Sequence, residues 1–264
     1  MNSTLHILNG DATLPGFIEA EIPGDTMIWR EVLSEGPLTK NVASAAFWQM
    51  RSDWICQTFG ETPEGYHDGM IVPLEKLSAP YEEINLWFEF DLHCQANLLG
   101  AMMLLNQQTN LSAPEVYLIS PSEFPGLENF SGMGELNGEQ LDYLYDNIRV
   151  QLSEYDFTLV AEAWQLYVEG DVAKLKAWLA GTPFWGNVPN LKPALEAHVK
   201  RLEFDADGLN YIHQKLLAIY QNGAHSKAEI YPSFWQTEKI YGMGDSQLDT
   251  YLQLLIDKKL IDLQ

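Results

Sequence analysis

The sequence predicts an α/β fold: a short parallel, Rossmann-like sheet at the N-terminus, then a mostly α-helical C-terminal half ending in a helix-turn-helix-like module. Three observations carry that expectation. Residues 5–120 alternate short β-branched or aromatic runs with helical patterns, the order that builds a parallel sheet through right-handed crossovers. After Ser120-Pro121 the strand-like runs stop and helical periodicity takes over. From residue 205 onward the helical pattern comes in short, punctuated pieces.

The strands are expected at Leu5–Leu8, Thr26–Trp29, Ile84–Phe88 and Val116–Ile119. The first ends in the tight turn Asn9-Gly10, with Asp11 placed where a helix can begin. A helix over 42–59 puts Phe47, Trp54 and Ile55 on an apolar stripe. Another over 93–108 carries Leu98, Leu99, Met102, Met103 and Leu105. No strand is expected over 138–204, where 140–152, 156–178 and 192–204 read as amphipathic helices separated by Gly181-Thr182-Pro183 and Asn187-Val188-Pro189. In the tail, a helix over 209–220 is closed by Asn222-Gly223, and Ser226 to Glu229 has capping-box spacing. A third helix starts at Gly242-Met243-Gly244-Asp245, and Leu260–Leu263 reads as a terminal strand. The expected units are therefore 1–121, 122–204 and 205–264. Gly132-Met133-Gly134-Glu135 echoes Gly242-Met243-Gly244-Asp245, the same turn chemistry ahead of two helices.

Composition narrows the function. The chain has 264 residues, 46% hydrophobic and 12% aromatic, enough for a substantial core. Its 15 Lys+Arg against 37 Asp+Glu give a net charge of −22, which repels phosphate backbones and anionic membrane surfaces, so nucleic acid is not an expected partner. No apolar run approaches the roughly 18–20 residues of a spanning helix. Polar Ser3-Thr4 leads straight into the first strand with no basic, apolar leader pattern, and a cytoplasmic location is expected. Cys56 and Cys94 are isolated thiols without CxxC spacing, a usage that fits a reducing compartment. No GxGxxG, Walker, HExxH, GxSxG or EF-hand pattern occurs.

Several stretches together resemble a known family. HILNGD at 6–11, Trp29-Arg30-Glu31-Val32-Leu33-Ser34-Glu35-Gly36-Pro37, and Leu86 to Leu92 with Gln95 resemble the bacterial domain of unknown function 1835. The tail with Gly242-Met243-Gly244-Asp245 resembles the small companion domain found behind it. The resemblance covers most of the chain, most weakly 121–200. It implies an N-terminal α/β domain and a helical C-terminal part, and it implies no activity. By that resemblance His stands in the family at the position of Phe90 and Asp at that of Cys94, so two groups with chemical potential are replaced here.

In an open α/β sheet, ligands bind outside the carboxyl ends of the strands. The residues expected there are Asn9, Gly10 and Asp11 after the first strand, Arg30, Glu31 and Glu35 after the second, Glu89 and Asp91 after the third with His93, Cys94 and Gln95 opening the next helix, and Ser120 and Ser122 after the fourth. Asp11, Glu89 and Asp91 are the candidate metal-binding and catalytic carboxylates: clustered acids need a cation, and oxygen-rich sites suit Mg²⁺ or Mn²⁺. Arg30 is expected to meet a ligand phosphate bidentately. The expected activity is thus hydrolytic, on a small polar or phosphorylated ligand such as a nucleotide. The alternative is a non-enzymatic interaction or regulatory module, in which Asp11 and Asp91 are helix caps, Glu31 and Glu35 face solvent or one of them pairs with Arg30, and the helical half binds a protein partner.

Overall fold

The computed structural model describes residues 3–108 and 114–263. It is α/β, with a five-stranded sheet near the N-terminus ordered β2-β1-β3-β4-β5 and a mostly helical remainder. β1 (Thr4–Asn9), β2 (Asp25–Trp29), β3 (Glu83–Trp87) and β4 (Glu115–Ile119) are parallel, and Ile7 sits between Met27 and Leu86 in register. All four fall where the sequence places them. β5 (Val150–Gln151) pairs antiparallel with β4, Leu118 opposite Val150, inside the stretch expected to lack strands. Two residues carry no periodicity, so only the exposed edge of β4 makes them a strand.

The helices cover both faces. α1 (Leu14–Glu19) links β1 to β2. α2 (Ala45–Phe59) is capped by Ser44, whose side chain accepts from the Phe47 amide, and it starts three residues later than the pattern suggests. α3 (Pro63–Tyr66), a wide turn over His67–Ile71, α4 (Val72–Leu74) and a tight turn over Glu75–Ser78 run on as one irregular helical connection, which the sequence reading left unassigned. α5 (Leu92–Gln107) joins β3 to β4, and α6 (Gly138–Asn147) precedes β5. Odd and even positions of the strands then go to different cores, as a pleat requires. Leu8, Ile28, Trp87 and Ile119 pack with Phe17, Leu141 and Leu144 beneath α1 and α6. Leu5, Ile7, Met27 and Leu86 pack toward α5 on the other face.

That second core does not stop at the sheet. It continues from α5 into α7 (Glu154–Glu169), α8 (Val172–Gly181), α9 (Leu191–Leu202), α10 (Tyr211–Gln221), α11 (Lys227–Thr237) and α12 (Asp245–Asp257). The single helix predicted over 156–178 is broken at Gly170, which adopts φ +65° and closes α7, and Asp171 caps α8 at once. The predicted terminal strand is absent: residues 261–263 carry no regular element. Among the described residues, no helix is long and apolar enough to cross a membrane.

Candidate functional site

β1 has β2 on one side and β3 on the other. The chain leaves β1 for β2 through α1 and returns across β1 to reach β3, so the crossovers part at the β1/β3 pair. A crevice at such a reversal is where ligands sit in this class of fold. The groups at these two strand ends define the site.

Glu89, Asp91 and Cys94 meet there, each offering a ligand atom within 4.8 Å of the others. Asp91 is the N-cap of α5, its Oδ1 accepting from the Cys94 amide at 2.9 Å. The cap turns the Cys94 side chain back toward the strand end. Its thiol donates to Glu89 Oε2 at 3.1 Å, and Asn9 Nδ2 donates to its sulfur at 3.0 Å. Burial, the neighbouring Asp91 and the facing Glu135 push the Glu89 carboxyl up to about 7, against the bonds from Cys94 and Met133. Burial, with Asp91 and Glu89 adding, pushes the Cys94 thiol well up. The Cys94 thiol therefore keeps a proton that a cation would displace. A thiol raised in this way is not an activated nucleophile.

The two Gly-Met-Gly turns that echo each other in the sequence sit on the two acids. The Met133 amide donates to Glu89 Oε1, and a Cβ at Gly132 (φ +155°) would come within 2.6 Å of that oxygen. Gly242, left-handed at φ +59°, lies so close to Asp91 that a Cβ would overlap its carboxylate. Only glycine permits this approach. The sequence flagged both turns as helix openings; their second role is to wall the carboxylates.

The remaining predicted residues divide sharply. Asp11 does not join Glu89 and Asp91. Its carboxylate takes the Arg30 fork, Oδ2 from Nε at 2.8 Å and Oδ1 from Nη2 at 2.6 Å. Thr13, not Asp11, occupies the N-cap of α1, without a side-chain cap. Arg30 is thereby committed to Asp11 and to the Gly69 carbonyl at 2.9 Å rather than presented as a free fork. With side chains 38% and 59% exposed, this pair contributes at most about 1 kcal/mol. Glu31 neither faces solvent nor pairs with Arg30. It is 2% exposed and held by Arg51, whose Nη2 reaches Oε2 at 2.8 Å, while Tyr66 donates to Oε1 at 2.5 Å. Gly10 (φ +82°) makes the turn that frees the chain from β1.

His93 is half-buried beside the cluster, with Ser34 Oγ and Asn97 Nδ2 each 3.4 Å from a ring nitrogen, and burial holds its pKa down. Gln95 is 1% exposed; its Nε2 donates to the Glu89 carbonyl at 2.6 Å and approaches Ser120 Oγ at 3.3 Å, while its Oε1 has no hydrogen-bond partner among the described residues. Ser120 is also fixed from α9, by Asn190 Nδ2 at 2.9 Å to its carbonyl. His6 is a satisfied core histidine, accepting from Trp87 Nε1 at 3.2 Å and lying 3.3 Å from the Pro23 carbonyl. Both thiols are free.

The residue that the sequence reading missed is Asn97. It is fully buried, donates to Asn9 Oδ1 at 2.8 Å and to the Glu31 carbonyl at 2.7 Å, and accepts from the Leu33 amide at 2.9 Å. Its signal was available: an asparagine inside the apolar run of α5 must find partners.

A three-layer α/β chain with a thiol–carboxylate cluster at the switch point is the class that fold and site define. No protein-family model matches the chain, and no curated protein matches it.

Proposed function

We propose that the chain binds a small polar or phosphorylated compound at the β1/β3 crevice, organised by a divalent cation on Glu89, Asp91 and Cys94, with hydrolytic chemistry as the outcome. The observation that carries the reading is the convergence of those three side chains at the switch point. Beneath them the Gln95 Nε2 holds the Glu89 carbonyl at 2.6 Å, which fixes the segment that carries the first of these groups. Because the third group is a thiol and not Asp11, the donor set favours Zn²⁺ over the Mg²⁺ or Mn²⁺ that oxygen ligands alone would select. A bound cation there would supply an acidified water or polarise a ligand oxygen. Asn9 and Gln95 would orient the sulfur and the Glu89 segment. In this reading the chain works in the cytoplasm, belongs with the domain of unknown function 1835, and does not bind nucleic acid, in keeping with its net charge of −22.

The test is titration of the chain with cobalt(II). A thiolate-to-cobalt absorption band, lost in Cys94→Ser and weakened in Glu89→Gln, is expected, together with a rise in melting temperature with Zn²⁺ that Mg²⁺ does not match. Absence of both the band and any Zn²⁺ shift removes the metal reading. It would leave the second one, a protein-interaction module, which the capping role of Asp91 and the Asp11–Arg30 pair favour.

A further inference from the structure

A second cavity lies between α7 and α8, on residues that the thiol–carboxylate cluster does not use. Tyr155, Thr158, Leu159 and Glu162 have the i, i+3, i+4, i+7 spacing that sets them along one face of α7. α8 packs beside α7 and ends at Gly181-Thr182-Pro183, the turn that punctuates the helical half of the sequence. The cavity, of about 330 Å³, is lined by those four residues, by Trp178 and by the turn. That volume is at the small end of the roughly 300–1,000 Å³ range of ligand sites.

Its two rings are fixed. Trp178 Nε1 donates to Glu162 Oε2 at 3.0 Å, and Trp185 meets the indole edge-on at 5.3 Å between ring centres. The Tyr155 hydroxyl donates to the Phe184 carbonyl at 2.9 Å, and the two rings lie 5.6 Å apart. Tyr155 is still 45% exposed and Phe184 63%, and contiguous exposed aromatics mark interaction surfaces. The charge beside the rings is also open. Glu35 faces neither solvent nor Arg30, because Arg201 takes it at 2.6 Å. Glu162, by contrast, is exposed and makes no ion pair among the described residues. No Lys, Arg or His is among the described residues that line the cavity.

We propose that this cavity binds a quaternary ammonium group, received by Trp178 and Tyr155 with Glu162 as its counter-charge. The sign of the ligand follows from the wall: two aromatic rings, one unpaired carboxylate and no cation, in a chain of net charge −22. The methylation of the nitrogen follows from the acceptors. The hydroxyls of Tyr155, Thr158 and Thr182 are each turned to a backbone carbonyl, of Phe184, Glu154 and Trp178. Glu162 is thus the one charged acceptor in the wall for the three donors of a primary ammonium. A quaternary ammonium has no N–H to satisfy, and its methyl groups suit the rings, Leu159 and Pro183.

Choline is the probe, followed at constant ionic strength by the Trp178 indole resonance of full-length protein labelled with ¹⁵N-tryptophan and assigned by its loss in Trp178→Phe. Saturable movement of that resonance is expected. Two compounds test the reasoning: 3,3-dimethyl-1-butanol keeps the shape of choline without its charge, and ethanolamine keeps a charge but restores the N–H donors. Each should bind weaker by about fivefold or more. Glu162→Gln keeps an acceptor for Trp178 and removes the charge, while Tyr155→Leu removes a ring from an exposed position. Each should weaken choline about two- to fivefold, and Tyr155→Phe should leave it unchanged. Acetyl-trimethyllysine methylamide carries the same group as a peptide side chain; binding by it or by choline supports the proposal, and the tighter of the two identifies the source. No saturable shift with either, dimethylbutanol or ethanolamine binding as tightly as choline, or choline binding undiminished in both Glu162→Gln and Tyr155→Leu overturns it.

Discussion

Gly242→Ala is the sharpest probe of how the carboxylates are held. Gly242 sits at φ +59°, ψ 26°, and its Cβ position is taken by the Asp91 carboxylate. Gly60 is its control: φ +73°, ψ 19°, at the end of α2, with nothing within 4 Å of a built Cβ. Alanine in the left-handed region costs about 1–2 kcal/mol, offset by about 0.4–1 kcal/mol from a stiffer unfolded chain. Gly60→Ala should therefore cost about 1 kcal/mol. Gly242→Ala carries the same backbone cost and must also expel Asp91 from its place. That forfeits the α5 cap, about 1 kcal/mol, and adds about 1–3 kcal/mol of overpacking. The expected total is about 3–5 kcal/mol. Urea denaturation gives both values from the midpoints, provided the slopes agree. If the two variants fall within about 0.5 kcal/mol of each other, the Gly242–Asp91 contact does not organise the site and the reasoning fails.

Arg51→Met should destabilise by about 3–5 kcal/mol, because it leaves Glu31 buried without its cation, and the double variant Glu31→Leu/Arg51→Met should recover part of that loss in the same urea assay. Asn97→Leu removes the partner of the Leu33 amide and of Asn9 together, and a loss of about 2–4 kcal/mol is expected; a loss under about 0.5 kcal/mol would show that the link is not structural. Stability should also fall in mild acid. Burial holds the His6 pKa below the ordinary histidine value of 6.5, so the folded ring resists a proton that the unfolded ring accepts. The contribution of His6 is thus complete above that value and lost as pH drops through the folded pKa. His6→Gln should make the loss of stability below pH 6.5 less steep, and an unchanged slope would refute the assignment.

The contrast between Asp91 and Glu31 shows what a sequence can and cannot disclose about such a site. Asp91 is legible because a cap is a local device: an acid three residues before the amide it receives, ahead of an apolar helical run. The four parallel strands are legible for the same reason, since burial on both faces forces continuous apolar runs. Glu31 is not, because its partner Arg51 stands on another element and nothing near Glu31 announces it. Asp11 misled because its position at a strand end satisfies a ligand role, a cap and a surface pair equally well; the Arg30 fork decided between them. β5 was invisible since two residues become a strand only beside β4. The Gly-Met-Gly echo was seen without its meaning, which needs the distance from each turn to an acid far upstream in the chain.

That separation along the chain has a biosynthetic consequence. Glu89 is walled by Gly132, and Asp91 by Gly242, far downstream of both acids. During synthesis, domains form from the N-terminus as they emerge. Glu89, Asp91 and Cys94 are therefore made long before Gly242, and the wall over Asp91 cannot close until Gly242 follows. A chain terminated before Gly242 would thus carry the thiol and both acids but not the finished crevice.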